Sequence, residues 1–478
     1  MLTKTIAIIG GGLSGTLTAL NLLKTATQQT TIYLVEAEPA KMHRGAAYSS
    51  ALPFQPLNVP ASAMSLDPDS PDDFYNWLQE NQFAYPDHLK VPVQKTDFIP
   101  RFIFGDYVKE RLQQAITEAN ENVKLIPIYA AALSVKRLLP IGDFIVNIAT
   151  GESIRADKVV LALGNFAPSD VPIPNKVFFK SQFYTSMPWS KSALQGIKPD
   201  DALLLIGSSL TMIDLVGSLQ KLGHKGKIYV VSRHGMLPQP FDVSTQLYPL
   251  KLLPLSPRLT ALEIFKFVRS EIRNAEAKGY TWRSVLDALR PHLPDIWQNF
   301  NLEEKKRFLR HIKSYWEPHR HRMPASSAAL IQQLQQQGKL EIIAARIADL
   351  QEFEHQARAT IIRKGTTATE HIAVNKVINC TGPQADYNAI PNPLVKQLLA
   401  AGMLVPDKLK LGILTTINGT LTDRNNHPVI NLYTLGPPRK SMLYESTALR
   451  EIRQQAKELA TELLKHENYF KRLEAQVA

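Results

Sequence analysis

Cysteine is nearly missing from this chain. Cys380 stands alone in 478 residues, so no intrachain disulfide and no CxxC redox pair can exist. Long apolar runs are missing too. None approaches the ~18–20 residues that span a bilayer. The apolar start, MLTKTIAIIGGGLSG, runs into a glycine cluster rather than a small-residue cleavage site. It therefore reads as a first strand, not as an export signal. A reducing, cytoplasmic setting is the expectation. Acidic residues are in deficit, 43 against 55 Lys and Arg, for a formal net charge of +12. Such a surface favours anionic ligands, from dinucleotides to nucleic acid or an anionic membrane, although a plain solvated basic surface explains it equally. With 44% hydrophobic and 21% charged residues the chain is not disordered, collagen-like or a coiled-coil rod. Its length suits two or three domain-sized units.

What is present is a strand, a glycine turn and a helix, and the pattern occurs twice. Thr5–Ile9 is an apolar strand, Gly10-Gly11-Gly12 breaks it, Leu13–Lys24 has helical spacing, and Thr31–Val35 is a second strand that ends at Glu36. Gly10-x-Gly12-x-x-Gly15 is the dinucleotide fingerprint in its proper context. The first glycine makes the tight turn, the second admits a pyrophosphate, and the third allows close helix–strand packing. The helix N-terminus offers free N–H groups to phosphate. Glu36 lies where an acid accepts hydrogen bonds from a ribose diol, which fits FAD or NAD and would repel a 2′-phosphate.

The second pattern starts at Leu203–Ile206, with the helix at Leu210–Leu222 and the strand at Lys227–Val231. Gly207 falls on Gly10 at an offset of 197, Ser209 on Gly12 and Met212 on Gly15. Arg233 falls on Glu36. A cation at that place suits the 2′-phosphate of NADP(H), since Arg forks onto phosphate. The alternative is a degenerate Rossmann unit kept for structure. Asp214 reads as a solvated or packing residue.

Elsewhere, residues 46–100 read as loop with a short helix near 71–80. Tyr107–Asn120 reads as a helix, and Val123–Ile128, Phe144–Ala149 and Lys158–Leu163 as strands. Residues 240–335 read as helical and irregular, Leu340–Ala345, Ala359–Arg363 and Val374–Asn379 as strands, and the end from about Ser446 as helix. The basic run from Arg307 to Arg322 contains His319-x-His321. A metal site competes there with a phosphate-binding lining and a plain charged surface, and the flanking arginines disfavour the metal. Cys380 reads as a small core residue.

The chain resembles the FAD/NAD(P)-binding flavoproteins, largely uncharacterised and bacterial, that are related to class B and N-hydroxylating flavin monooxygenases. The resemblance rests on Ile9 through Gly15, Gly45-Ala46-Ala47-Tyr48, Leu57-Asn58-Val59-Pro60-Ala61 with Met64-Ser65, and Asp73-Phe74 with Trp77-Leu78. It continues in Pro100-Arg101, Gly105-Asp106-Tyr107, Leu161-Ala162-Leu163-Gly164, and Tyr315-Trp316 with His319 to Arg322. It closes on Asn379-Cys380-Thr381-Gly382-Pro383, Leu435-Gly436-Pro437, Glu445-Ser446-Thr447-Ala448 and Glu451-Ile452-Arg453. Ser209 departs from the usual glycine, and its Cβ limits close approach.

The resemblance implies an α/β chain with two Rossmann-like units. A discontinuous FAD domain would cover 1–198 and 373–478. An NAD(P)H domain would cover 199–372, with a helical insertion at about 240–335. FAD would be held by Gly10, Gly12, Leu13, Ser14, Gly15, Glu36, Arg44, Asn58, Gly164, Gly382, Gly436 and Ser446, and NADPH by Gly207, Ser208, Ser209 and Arg233. Gly382 and Gly436 would be turns against the flavin, the helix near Ser446 would aim at its ring, and Gln55, Asn58 and Arg101 would stand near it. With no dithiol to accept electrons, the routes left are O₂, through a peroxyflavin to a monooxygenated small molecule, or an external acceptor in a dehydrogenase. A non-catalytic flavin sensor is a third reading. No nucleic-acid partner, metal or transmembrane segment is expected.

Overall fold

A computed structural model describes residues 3–49, 55–138, 142–190, 192–252 and 259–465. Its first sheet has six strands among these residues, and Lys4–Ile9 lies near the middle. Thr30–Val35 and Lys158–Leu161 flank that strand in parallel. Val123–Ile128 extends the sheet on one side, Pro428–Thr434 and Thr420–Thr422 on the other. The second sheet has seven strands and repeats the plan. Leu203–Ile206 is flanked in parallel by Ile228–Ser232 and Lys376–Asn379.

The repeat extends beyond the glycine motifs. In the first unit Val123–Ile128 leads into an antiparallel three-stranded meander, Ala132–Arg137, Phe144–Ile148 and Ser153–Ala156. In the second unit one long strand, Leu340–Phe353, runs parallel to Ile228–Ser232 and then antiparallel to Gln356–Arg363 and its neighbour Thr369–Val374. Each meander ends at the strand that returns beside the central one. The sequence showed only parts of these meanders, because their strands are short or half exposed and carry no long apolar run.

Lys376–Asn379 therefore belongs to the second sheet, beyond the boundary expected at residue 372, and Tyr184–Thr185 at that sheet's edge lies before the one expected at 199. The chain re-enters the first sheet at Thr420–Thr422 and Pro428–Thr434, strands the sequence did not reveal.

The helix Leu13–Thr25 is buried along nearly its whole length. It packs against the last helix, Leu449–Leu464, and against Arg101–Glu118 in one core with Phe74, Trp77, Phe104 and Tyr107. The helix begun at Arg101 rather than Tyr107 starts just after Pro100, which pre-sets the turn into its first residue. Residues 261–336 form the expected helical insertion, six α-helices with short 3₁₀ and π segments between some of them. No helix among the described residues is long and apolar enough to cross a membrane.

A built Cβ at Gly15 would lie 1.9 Å from the Gly10 carbonyl oxygen, whereas one at Gly217, inside the second unit's helix Leu210–Lys221, meets nothing within 4 Å. Gly15→Ala is expected to destabilise the fold by about 1–3 kcal/mol through overpacking. Gly217→Ala is expected to stabilise it by about 0.5–1 kcal/mol through helix propensity. Urea unfolding of the two variants checks the contrast.

Candidate functional site: two nucleotide cradles and the cleft between them

Both glycine turns have the same construction. Gly10 and Gly207 each have φ +110°. Each donates its N–H at 2.8 Å to the end of the neighbouring strand, Gly10 to the Val35 carbonyl and Gly207 to that of Val231. On the other side, Ala162 donates to Ile9 and Cys380 to Ile206, again at 2.8 Å. A Cβ on Gly10 would sit 2.2 Å from the Ala162 carbonyl oxygen, and one on Gly207 2.5 Å from that of Cys380. Only glycine fits either place.

In the first cradle, a Cβ on Gly12 would come 3.1 Å from the Gly45 Cα. The two glycines pack backbone against backbone, and a side chain on either would push the two turns apart. Leu13 and Ser14 open the helix here and are buried. Glu36 sits at the rim, where its carboxylate accepts from the N–H of Gly11 at 3.0 Å and of Glu38 at 3.1 Å. Those bonds fix the acid beside the glycine turn. His43, whose N–H donates to the Gly11 carbonyl at 2.6 Å, is pushed down to about 4 by burial, with Lys109 and Arg44 adding to it, and so stays neutral.

Arg44 is tied to Asp106, which also accepts from the Tyr85 hydroxyl. Gly436, with φ +75°, packs against Ser14, and a Cβ on it would lie 3.0 Å from the Ser14 hydroxyl. Ser446 does not face outward. It is fully buried, donates to the Gly436 carbonyl at 2.6 Å and accepts from Gln455 at 2.9 Å. Gln455 also accepts from the Gly436 N–H at 2.9 Å. Ser446 therefore shapes the Gly436 turn, and Gln455, which nothing in the sequence singled out, locks both.

Gly382 differs from expectation. It follows Lys376–Asn379 in the second sheet, as Gly164 follows Lys158–Leu161 in the first. Both take positive φ, +93° and +62°. Together with Gly207, Ser208, Ser209 and Arg233 they line one cavity of about 640 Å³ between the two units. Pro437 and Thr447 form its first-unit wall, and the insertion supplies Arg310, Lys313 and Glu317.

Ser208 holds the loop after the second strand, donating to the Ser232 hydroxyl at 2.9 Å and to the Met236 carbonyl at 2.7 Å. Ser209 and Arg233 are exposed to the cavity. Among the described residues no carboxylate lies within ion-pair distance of Arg233. Beside it, His234 stands 3.5 Å from Lys364 Nζ and against Tyr315. Lys364 was invisible in the sequence, since it follows a strand more than a hundred residues away.

Among the described residues the only acid on the cavity wall, Glu317, contacts His321 at 3.1 Å, the Tyr444 hydroxyl at 3.3 Å and Lys440 at 3.8 Å. Burial opposes its ionisation, but the His321 hydrogen bond, Lys440 and Lys313 outweigh that and hold the carboxyl well below its usual range. His319 donates from Nδ1 to the Tyr315 carbonyl at 2.7 Å and packs on Trp282. The two histidines are thus separately engaged, and among the described residues no group of His, Cys, Asp and Glu is arranged to hold a metal.

Gln55 is buried, and its carbonyl accepts from the Arg101 N–H at 2.9 Å; Asn58 is half-buried on the same loop. The Arg101 side chain crosses to the second unit, meets Asp214 at 3.3 Å and lies over Trp189. Asp214 is neither solvated nor merely packing. It is 7% exposed and pairs with a guanidinium that is 11% exposed. Burial pushes its carboxyl up to about 6, against the pull of Arg101.

Residues 7–166 match a family model described as FAD-NAD(P)-binding. No curated protein matches the sequence. Solved structures match over nearly the full length. The ornithine N-hydroxylase of Kutzneria sp. 744, solved with reduced FAD, NADP+ and L-ornithine, is 13% identical, with a TM-score of 0.64 over 97% of this chain and 99% of that one. The L-lysine 6-monooxygenase of Pseudomonas syringae is 15% identical, with a TM-score of 0.63 over 97% and 99%. The FAD-bound cadaverine monooxygenase of Erwinia amylovora is 13% identical, with a TM-score of 0.62 over 98% and 95%. The fold is theirs. It has the two Rossmann-like units and the helical insertion that the resemblance implied.

Removing one member of the Arg101–Asp214 pair strands a buried charge, so Asp214→Ala is expected to cost about 3–5 kcal/mol in chemical denaturation. The pair also predicts a pH signature. An acid whose carboxyl titrates higher in the folded state than its ordinary 3.8 binds more protons when folded. Wild type should therefore lose stability relative to Asp214→Asn as pH rises from about 4 to about 6. Parallel curves for the two proteins across that range would show that Asp214 titrates normally.

Proposed function

We propose that this chain is a FAD- and NADPH-dependent monooxygenase of a small molecule, with FAD in the first cradle and NADPH in the second. The reading is carried by the exchange at the end of the second strand in two otherwise matching turns. Glu36 fixes an acid where a ribose diol would lie, and Arg233 presents a cation with no carboxylate partner at the same place in the other unit. Gly12 stands at the start of the helix with no side chain of its own to hold a pyrophosphate away from the backbone. The relatives' bound FAD and NADP+ support the assignment.

FAD held by the first cradle would supply two-electron chemistry between NADPH and O₂. Overall, NADPH, a proton, O₂ and substrate give NADP+, water and hydroxylated substrate. The chain's own residues bind and orient. The helix N-termini at Leu13 and Leu210 would hold the two pyrophosphates. Arg233, with Lys364 beside it, would take the 2′-phosphate. Arg310 and Lys313 neutralise phosphate charge from the insertion side. Arg101 and Asp214 hold the two units in register. The buried thiol of Cys380, pushed far up by burial, takes no part, in keeping with a reducing compartment.

Purified protein is expected to be yellow, and Gly12→Val to be colourless yet folded. NADPH should reduce the flavin better than NADH. Arg233→Ala should weaken NADPH by about 1.5–3 kcal/mol, the range for hydrogen bonds to charged groups, with little change for NADH. Equal losses for both nucleotides would remove Arg233 from the phosphate. Candidate amines and acids should then be screened for NADPH oxidation in ¹⁸O₂. Label in the product supports oxygenation, whereas rapid reoxidation by a quinone with none by O₂ would establish the dehydrogenase.

A further inference from the structure

A second cavity, of about 370 Å³, opens on the far side of the segment that separates it from the nucleotide cleft. Glu445 lines this cavity, and Thr447, two residues on, lines the cleft. Its walls are the first turns of the helix Leu449–Leu464, the insertion at Arg290–Pro294, and Pro68. Its size lies in the range of small-molecule sites.

The charge balance there is uneven. Four guanidiniums, of Arg290, Arg320, Arg450 and Arg453, stand among three carboxylates, those of Glu445, Glu451 and, paired with Lys24, Asp67. Arg290 forks onto Glu451 at 2.8 and 2.9 Å, and Arg320 meets Glu445 at 2.9 Å. Arg453 spends one N–H on the neutral Ser65 carbonyl at 2.6 Å. Arg450 is exposed, and among the described residues it has no carboxylate within ion-pair distance. The crowding is felt within the group. Burial lowers the affinity of Arg290 for its proton, with the like charges of Arg320 and Arg450 adding to it against the pull of Glu451 and Glu445, and Arg453 is shifted the same way by burial and Arg450 against the pull of Asp67 and Glu451. The helix N-terminus adds partial positive charge at the same spot. Pro68, Pro291, Pro294 and Leu443 supply a stiff apolar wall opposite.

We infer that this cavity binds a small organic oxyanion, a carboxylate or phosphate monoester whose apolar part lies on the prolines and whose charge lies between Arg450 and Arg453. Planar guanidiniums recognise such groups by paired N–H bonds. The site stands whether or not the cleft proves to be a nicotinamide site, because it shares no lining residue with it.

Phenyl phosphate and benzoate serve as probes in calorimetric titration of the FAD-loaded full chain. Arg450→Ala removes an exposed side chain and should leave folding intact, with thermal unfolding as the check. Binding of either probe is expected to fall at least tenfold in Arg450→Ala, to weaken with added salt, and to be unchanged in Arg233→Ala. Benzoate alone would mark the ligand as a carboxylate, and phenyl phosphate alone as a phosphate ester. Binding lost in Arg233→Ala but kept in Arg450→Ala would place the probe in the nucleotide cleft and overturn the inference. Absence of binding by both probes to the wild type would overturn it too.

Discussion

Everything in this molecule that bears on function hangs on one contact made twice. A glycine Cα sits against the carbonyl oxygen that ends the neighbouring strand, Gly10 against Ala162 and Gly207 against Cys380. A Cβ at either place would collide with backbone, which cannot move aside. The contact brings strand, turn and helix so close that the helix N-terminus opens at the strand ends, where free N–H groups meet phosphate. It also fixes where the next strand stops, and therefore where Glu36 and Arg233 stand. Chemistry then diverges on one geometry, an acid at one rim and a cation at the other.

The cleft between the cradles depends on how the units are held together. Arg101 and Asp214 do this with a buried ion pair, whose desolvation makes it poor as a source of stability and costly to break in half. Its value is in orientation. The helical insertion completes the enclosure, and Glu317 shows how. It is ionised and bridges toward His321, Tyr444 and Lys440, linking the insertion to the segment that follows Gly436. The cations left without a carboxylate on that wall are those facing the place where nucleotide phosphates would lie.

Much of this was legible from sequence because glycine, acid and arginine obey local rules. The central strands, the two Rossmann helices and the exchange of Glu36 for Arg233 all follow from spacing within some thirty residues. Contacts between distant segments were not legible. Nothing local says that Arg101 reaches Asp214, that Lys364 stands beside His234, or that Gln455 ties Ser446 to Gly436. Gly382 was set beside the flavin from the order of motifs alone. The pairing of Lys376–Asn379 with Leu203–Ile206 puts it in the second unit, as the counterpart of Gly164. The strands of both meanders were partly missed because those overlooked, Ala132–Arg137, Ser153–Ala156 and Thr369–Val374, are too short for a decisive alternation.

The central claim is that the two cradles hold different nucleotides at the same time. Native mass spectrometry of the purified protein mixed with FAD and NADP+ tests it directly. The account predicts a ternary species with one FAD and one NADP+ per chain, retained when either nucleotide is raised in excess. A protein that carries two FAD, or that gives up FAD as NADP+ is added, would contradict it.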